Sequence, residues 1–304
     1  MKRGQFIQLA AAGMFLPFNK IIAGSRNVVY NAITSNQFTS SKIKICLNAY
    51  SFNQPLLAGE MTIIDMIDFC ASLGLEGVDI TGYYFPGYPA VPSDEYIYQI
   101  KRHAFKQGIE ICGTGVRNDF TLPDASKRAA EKKLVKDWIE VASKLGAQTL
   151  RIFAGGNGAP QGYTWEQAAE WIAADIRECA DYASRNGVML ALQNHNDFLK
   201  TSDEILLIFQ KINSDWVKLM LDIGSYRSAN PYAEIEQTVH LAITWQVKEE
   251  MFINNRPEKT DLDRLKKIID ASSYRGYLPI ETLGEGDPKQ KITYMYQEVK
   301  KRFG

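Results

Sequence analysis

The sequence predicts a single (β/α)8 barrel behind an N-terminal export signal, and three observations predict it. From Ile43 onward, short apolar runs alternate with amphipathic helical segments, in eight strand–helix pairs. Helix start and stop signals recur at matching intervals. No Gly-rich dinucleotide fingerprint follows the first strand, as an open doubly wound sheet would suggest.

Candidate strands begin near Ile43, Gly77, Ile109, Thr149, Val188, Val217, Ile243 and Tyr277. Met66, Ile67, Phe69, Cys70 and Leu73 carry the i, i+3, i+4 spacing of a helix packed on a sheet. Ser93 precedes Asp94-Glu95 and opens a helix that ends before Gly108. Thr164-Trp-Glu-Gln167 and Thr201-Ser-Asp-Glu204 are capping boxes, in which hydroxyl and third residue satisfy free backbone N–H groups. Gly74, Gly146 and Gly187 stand where helices should stop with positive φ. The alternative architecture is a partial or distorted barrel with one short helix near Pro231-Tyr232-Ala-Glu234; the charged stretch from Lys127 to Lys136 reads as a solvated helix face.

The 304 residues are 45% hydrophobic, enough for one large α/β domain with a full core. Thirty-five basic residues balance 35 acidic ones, which argues against a nucleic-acid partner. Cys46, Cys70, Cys112 and Cys179 lie in apolar segments without C-x-x-C spacing and read as small buried hydrophobes. The N-terminus differs in character. Lys2-Arg3, an apolar run from Phe6 to Phe18 and small residues near Ala23-Gly24 read as an export signal over 1–24. Arg3-Gly-Gln-Phe6 resembles a twin-arginine signal with Gly4 in place of the second arginine. A polar tether over 25–41 then leads to the barrel over 42–304, so an exported, periplasmic protein is expected. No other segment is apolar enough to span a bilayer.

Four runs in the second half each carry polar side chains at their C-terminal ends: Leu190-Ala-Leu-Gln193-Asn-His195, Lys218-Leu-Met-Leu-Asp222, Ile243-Thr-Trp-Gln246-Val-Lys248 and Gly276-Tyr-Leu-Pro-Ile-Glu281. Strand C-terminal ends converge at one barrel mouth, so these groups should meet there. An unpaired buried charge is expensive, and the plainer reading of Asp222 and Glu281 is a salt bridge to Lys248 or Arg151. The functional reading follows from the mouth itself, where this fold builds its active sites. His195 lies two residues beyond Gln193, on the same face if the strand continues that far. His103, among Lys101, Arg102 and Lys106, reads as surface.

In order along the chain, Gly77-Val-Asp79-Ile, Leu150-Arg151-Ile-Phe-Ala-Gly155, Gln193-Asn-His195, Leu221-Asp222-Ile-Gly, Gln246-Val-Lys248-Glu249 and Gly276-Tyr-Leu-Pro-Ile-Glu281 resemble strand motifs of the xylose-isomerase-like TIM barrels. That family comprises sugar isomerases and epimerases and shares its barrel with apurinic endonucleases. The resemblance covers everything from about Ile43. It implies a divalent ion held by Glu, Asp, His and Glu of strands five to eight, and proton transfer beside a carbonyl by the two glutamates. Here those positions read Gln193, Asp222, Gln246 and Glu281. Amide oxygens hold Mn²⁺ or Mg²⁺ more weakly than carboxylates do, so the expected ion is weakly bound or absent. A carboxamide has no useful pKa, which removes Gln193 from any acid–base pair and leaves Glu281 as candidate base.

Lys248 is suited to polarising a substrate oxygen, and His195 is a candidate proton carrier. Its plainer reading is a hydrogen-bonded core histidine. Asp79 and Arg151, on the second- and fourth-strand motifs, are candidates for holding substrate. Tyr83-Tyr84-Phe85-Pro-Gly-Tyr88 is aromatic for a loop and offers either a stacking wall for a sugar or plain packing over the barrel. Asn48 and Tyr50, at the end of the first strand, are further candidates for holding substrate. The expected function is an exported enzyme isomerising, epimerising or eliminating a sugar or keto-sugar derivative, with a small carbohydrate as its partner. The alternative is a catalytically silent carbohydrate-binding barrel. A DNA-cleaving relative is disfavoured, since three histidines are too few for a multi-zinc site.

Overall fold

The computed structural model describes residues 43–156, 158–195 and 197–304; the expected export signal and tether lie outside the described residues. Eight parallel strands close into a barrel: β1 (Lys44–Asn48), β2 (Gly77–Thr81), β3 (Glu110–Gly115), β4 (Thr149–Phe153), β5 (Met189–Gln193), β6 (Val217–Asp222), β7 (Ala242–Lys248) and β10 (Tyr277–Glu281). β1 pairs with β2 on one side and β10 on the other, sealing the seam. Every strand starts within about one residue of where its apolar run begins, because a strand buried on both faces must be apolar over its whole length.

Helices α1 (Asn53–Leu57) and α2 (Ile63–Leu73) follow β1, and α3 (Asp94–Gln107), α4 (Ala125–Leu145), α5 (Trp165–Asn186), α6 (Ser202–Ile212) and α7 (Pro231–Thr238) follow the next five strands in turn. α8 (Leu262–Ala271) precedes β10, and α9 (Pro288–Phe303) closes the ring. Met66, Ile67 and Cys70 of α2 are buried, with Phe69 and Leu73 packed at the edge. Both expected capping boxes form, as does one at Thr62–Asp65 that the sequence reading passed over. Gly74, Gly146 and Gly187 end their helices at φ 83°, 78° and 68°. No helix among the described residues is long and apolar enough to cross a membrane. All four cysteines are buried and unbridged.

Two features depart from the sequence reading. A hairpin of β8 (Glu250–Ile253) and β9 (Arg256–Lys259) is inserted between β7 and α8. Its tip, Asn254-Asn255, has φ 50° and 62°, the left-handed pair a tight two-residue turn needs. The charged face of α4 is also more than solvated. Arg128 donates to Asp175 at 2.7 Å, and Lys132 and Lys136 reach Glu178 at 2.5 and 2.6 Å, tying α4 to α5. The two helices run side by side, which places those carboxylates opposite the cations.

Candidate active site

Strand ends bring the site together. Gln193, Asp222, Lys248 and Glu281 are the last residues of β5, β6, β7 and β10, four neighbours in the barrel. Register sets Asp222 beside Gln246 and Lys248 beside Glu281. Along β7 the period of two sends Trp245 and Val247 into the apolar core, while Gln246 and Lys248 line a cavity of about 620 Å³ at the mouth.

These side chains form one hydrogen-bonded cluster. Lys248 Nζ lies 2.9 Å from Asp222 Oδ2 and 3.2 Å from Glu281 Oε1. Gln193 Nε2 donates to Asp222 Oδ2 and to Gln246 Oε1, both at 2.8 Å. The expected ion pair therefore forms, and it forms at the mouth. Asp222 is 0% exposed, while the Lys248 side chain keeps 15%. An ammonium has three donors; two are committed here, leaving one for the cavity. Burial is the largest single influence on Asp222 and pushes it upward, but the Lys248 charge and hydrogen bond, with His195 and the Gln193 amide, together hold the carboxyl below its ordinary range. Burial works on Glu281 in the same sense and, with Asp222 adding to it, prevails over Lys248, so its pKa is raised. Lys248 is itself held charged: burial opposes the ammonium, and Asp222 and Glu281 more than compensate.

The opposite wall is built around Arg151 of β4. Its guanidinium donates to Tyr83 Oη at 2.6 Å and lies over the Phe153 and Tyr83 rings at 4.5 and 5.4 Å. Space for it comes from Gly115 of β3, where a Cβ would stand 2.6 Å from Arg151 Nε. Asp79 lies beneath, buried, and accepts from Asn48 Nδ2 at 3.4 Å. Burial raises its pKa to about 6, with Glu281 adding to the rise and Arg151 and Asn48 opposing it. Asn48, Tyr50, Tyr83 and Arg151 line the cavity; Asp79, expected to hold substrate, is not among the lining residues and bonds to Asn48 instead.

Tyr84 stands apart from Tyr83. It packs on the core and donates to Asn53 Oδ1 at 2.8 Å, so this half of the aromatic loop is packing. Tyr88 likewise packs on Trp138 and Tyr83. His195 lies beyond the end of β5, where its backbone N–H turns back to Gln193 O, so strand alternation does not place it. It still reaches the mouth: Nδ1 is 2.6 Å from Asp197 Oδ2, the ring sits edge-on to Phe153 at 5.2 Å, and the side chain is 40% exposed. The core-histidine reading is replaced by a carboxylate-paired imidazole.

Several site residues escaped the sequence reading. Asp197 was readable only as a carboxylate near a histidine. Arg117, Asp119 and Glu131 line the far end of the cavity. Asn194 and Asn118 have matching structural tasks. Asn194 exchanges two hydrogen bonds with the Asp222 backbone, at 2.7 and 3.0 Å, and Asn118 does the same with Phe153 at 2.7 and 2.9 Å. Each stitches one strand end to the next. A second cavity of about 570 Å³ adjoins the first and shares His195, Lys248, Glu281 and Leu283 with it. Phe252 of the hairpin lines its wall under the Arg227 guanidinium, 3.4 Å above the ring.

The cluster does not fit the divalent ion that the resemblance implies. A hard cation needs several oxygens directed at one point. Here the space between Asp222 and Glu281 holds an ammonium, and Gln193 turns its NH₂ group toward Asp222 and Gln246. That orientation follows from charge, since the amide oxygen would repel the Asp222 carboxylate. Gln193 Oε1 is buried and has no hydrogen-bond partner among the described residues. One amide oxygen does not make a coordination shell.

With fold and site defined, the class follows: the chain belongs to the xylose isomerase-like TIM barrel family, whose model matches residues 67–298. Similar solved structures include a D-psicose 3-epimerase with D-tagatose from Clostridium cellulolyticum H10, at 16% identity and TM-score 0.73, covering 86% of this chain and 99% of that one. A 3-keto-D-glucoside 4-epimerase from E. coli, in its apo form, is similar at 15% identity and TM-score 0.70, covering 86% and 100%. The IolI protein with a bound zinc atom is similar at 16% identity and TM-score 0.68, covering 86% and 100%. At these identities the likeness is one of fold. No curated protein matches the sequence.

Proposed function

We propose that this protein is an enzyme that moves a proton beside the carbonyl of a sugar or keto-sugar derivative. The observation that carries the reading is the pairing at the cavity floor of a carboxylate with raised pKa, Glu281, and an ammonium with one uncommitted donor, Lys248. A base works best when its pKa approaches the working pH, and Glu281 is shifted that way. Glu281 takes the proton from the carbon next to the carbonyl; the C–H pair becomes a C=C bond and the carbonyl π pair moves onto its oxygen. The free N–H of Lys248 donates to the oxyanion so formed. His195, oriented by Asp197, then carries the second proton. Delivery to the opposite face of the same carbon epimerises; delivery to the former carbonyl carbon, with the α-hydroxyl proton passing to the former carbonyl oxygen, isomerises. Departure of a β-oxygen, protonated as it leaves, eliminates.

Two cavities meet at Glu281, Lys248 and His195, and room on either side of the proposed base favours a glycoside over a free monosaccharide. The export signal read at 1–24 supports an unphosphorylated substrate outside the cytoplasm. Fractionation of expressing cells, with mass measurement of the mature chain, tests that part: cleavage near Ala23-Gly24 is expected.

The reaction is tested by incubating the protein in heavy water with aldoses, ketoses and 3-keto-glycosides, reading deuterium incorporation by NMR. At least one keto-sugar should incorporate deuterium, and Glu281→Gln should slow it roughly 10²- to 10⁴-fold. Saturable binding with no incorporation in any member would replace this reading with the silent carbohydrate-binding barrel.

A further inference from the structure

We propose that the Lys248 ammonium occupies the place of a divalent cation in this barrel, making the site metal-independent. The family positions for ligands are all present on four adjacent strands, yet an ammonium fills the space between the two carboxylates and Gln193 offers N–H groups in place of a ligand oxygen. Nζ stands between Asp222 and Glu281, and the Gln193 amide meets Asp222 and Gln246 with its N–H groups. A cation there would face an ammonium and two N–H donors, all of its own sign.

Two further observations show that Lys248 is built into this position. Gly224, just after β6, leaves the space its stem crosses: a Cβ there would stand 2.8 Å from Lys248 Cδ. Asp222 is held from every side. Its Oδ1 accepts from Gly224 N at 2.9 Å and its Oδ2 from Gln193 and Lys248, while its backbone carbonyl accepts from Asn194 Nδ2 and its backbone N–H donates to Asn194 Oδ1. The carboxylate thus has its hydrogen bonds supplied by the protein.

Charge accounts for the pair of glutamines. Glu, Asp and Glu around one divalent ion sum to −1, and Gln, Asp and Glu around one ammonium also sum to −1. Exchanging a divalent ion for a monovalent ammonium therefore calls for removing one carboxylate, and Gln193 is that removal. The histidine ligand becomes an acceptor, Gln246 Oε1, which receives the new amide.

The test measures ion binding directly, so it succeeds or fails separately from the reaction proposed above. Full-length protein is stripped with chelator and dialysed against Mn²⁺ or Zn²⁺. Bound metal is then counted by plasma mass spectrometry, and thermal unfolding is followed with and without about 1 mM Mn²⁺, where specific binding raises Tm by mass action. The wild type should retain no stoichiometric ion and show no Tm shift. Lys248→Met vacates the space between the carboxylates, and Gln193→Glu/Gln246→His/Lys248→Met restores the full ligand set. The triple variant should take up one equivalent, with Tm rising by several degrees on adding Mn²⁺. If Lys248→Met alone fails to fold, the triple variant with ion present still decides the matter. A wild type holding one equivalent, with Tm lowered by chelator, overturns the proposal. So does a triple variant that binds nothing, because the four side chains would then share no cation position.

Discussion

Lys248 is the residue on which the site depends. Removing it leaves Asp222, fully buried, beside Glu281 without the ammonium that both carboxylates pair with. Breaking a buried pair from one side costs about 3–5 kcal/mol. Lys248→Met without added metal should therefore unfold at markedly lower urea than wild type at pH 7.5; an unchanged midpoint would refute the account. Asp79 offers a pH-dependent counterpart. Its folded pKa, about 6, lies above its ordinary value, so its contribution to stability is fully present below about pH 4 and is lost as pH rises through 6. A shift of about two units corresponds to about 3 kcal/mol at neutral pH. Asp79→Asn should thus gain stability relative to wild type between pH 4.5 and 7.5, measured by denaturant titration; a variant that loses ground over that interval contradicts the burial argument. Asp222, Lys248 and Glu281 were legible as residues because a charged group ending an apolar run needs a reason. Asp197 was not, since nothing in a loop sequence shows which imidazole nitrogen it will meet.

At the scale of elements, the caps read well because they act within a few residues. Thr164 and Thr201 receive the N–H groups of Gln167 and Glu204, and Gly187 takes φ 68°. A Cβ at Gly187 would meet nothing within 4 Å, so Gly187→Ala isolates the conformational cost, about 1 kcal/mol. A Tm fall of about 2–4 °C is expected in a domain of this size. Gly224→Ala is a different kind of change, because its Cβ collides with Lys248 Cδ at 2.8 Å. It should lower kcat of the proton transfer at least about tenfold by displacing the ammonium, with KM little changed. Equal kcat in the variant would show that the lysine's position is not critical. The β8–β9 hairpin went unread because its strands are short and Asn254-Asn255 declares a turn only once two partners flank it. Tyr83 and Tyr84 share one loop and one chemistry, yet three-dimensional packing sends one ring to Arg151 and the other to Asn53.

Across the whole molecule, the hairpin and the barrel together make the second cavity, with Phe252 from one and Arg227 from the loop after β6. If the substrate spans both cavities, Phe252→Ala should weaken binding of a disaccharide-sized ligand about tenfold or more while leaving a monosaccharide nearly unaffected, by calorimetry. Equal losses for both would confine the substrate to the cavity lined by Arg151. The closed barrel was determined by the sequence itself: eight apolar runs, the helical periods between them and the caps at their ends are local patterns that backbone geometry converts directly into strands and helices. The convergence of Gln193, Asp222, Gln246, Lys248 and Glu281 was likewise set, because the ends of parallel barrel strands share one mouth. What lies at the centre of that convergence was decided only by tertiary structure. The room for Lys248 comes from a missing Cβ at Gly224, and the amide of Gln193 turns according to a carboxylate on the next strand. Both are contacts between residues more than 20 positions apart, determined by strand register and packing, and no local period or motif encodes them.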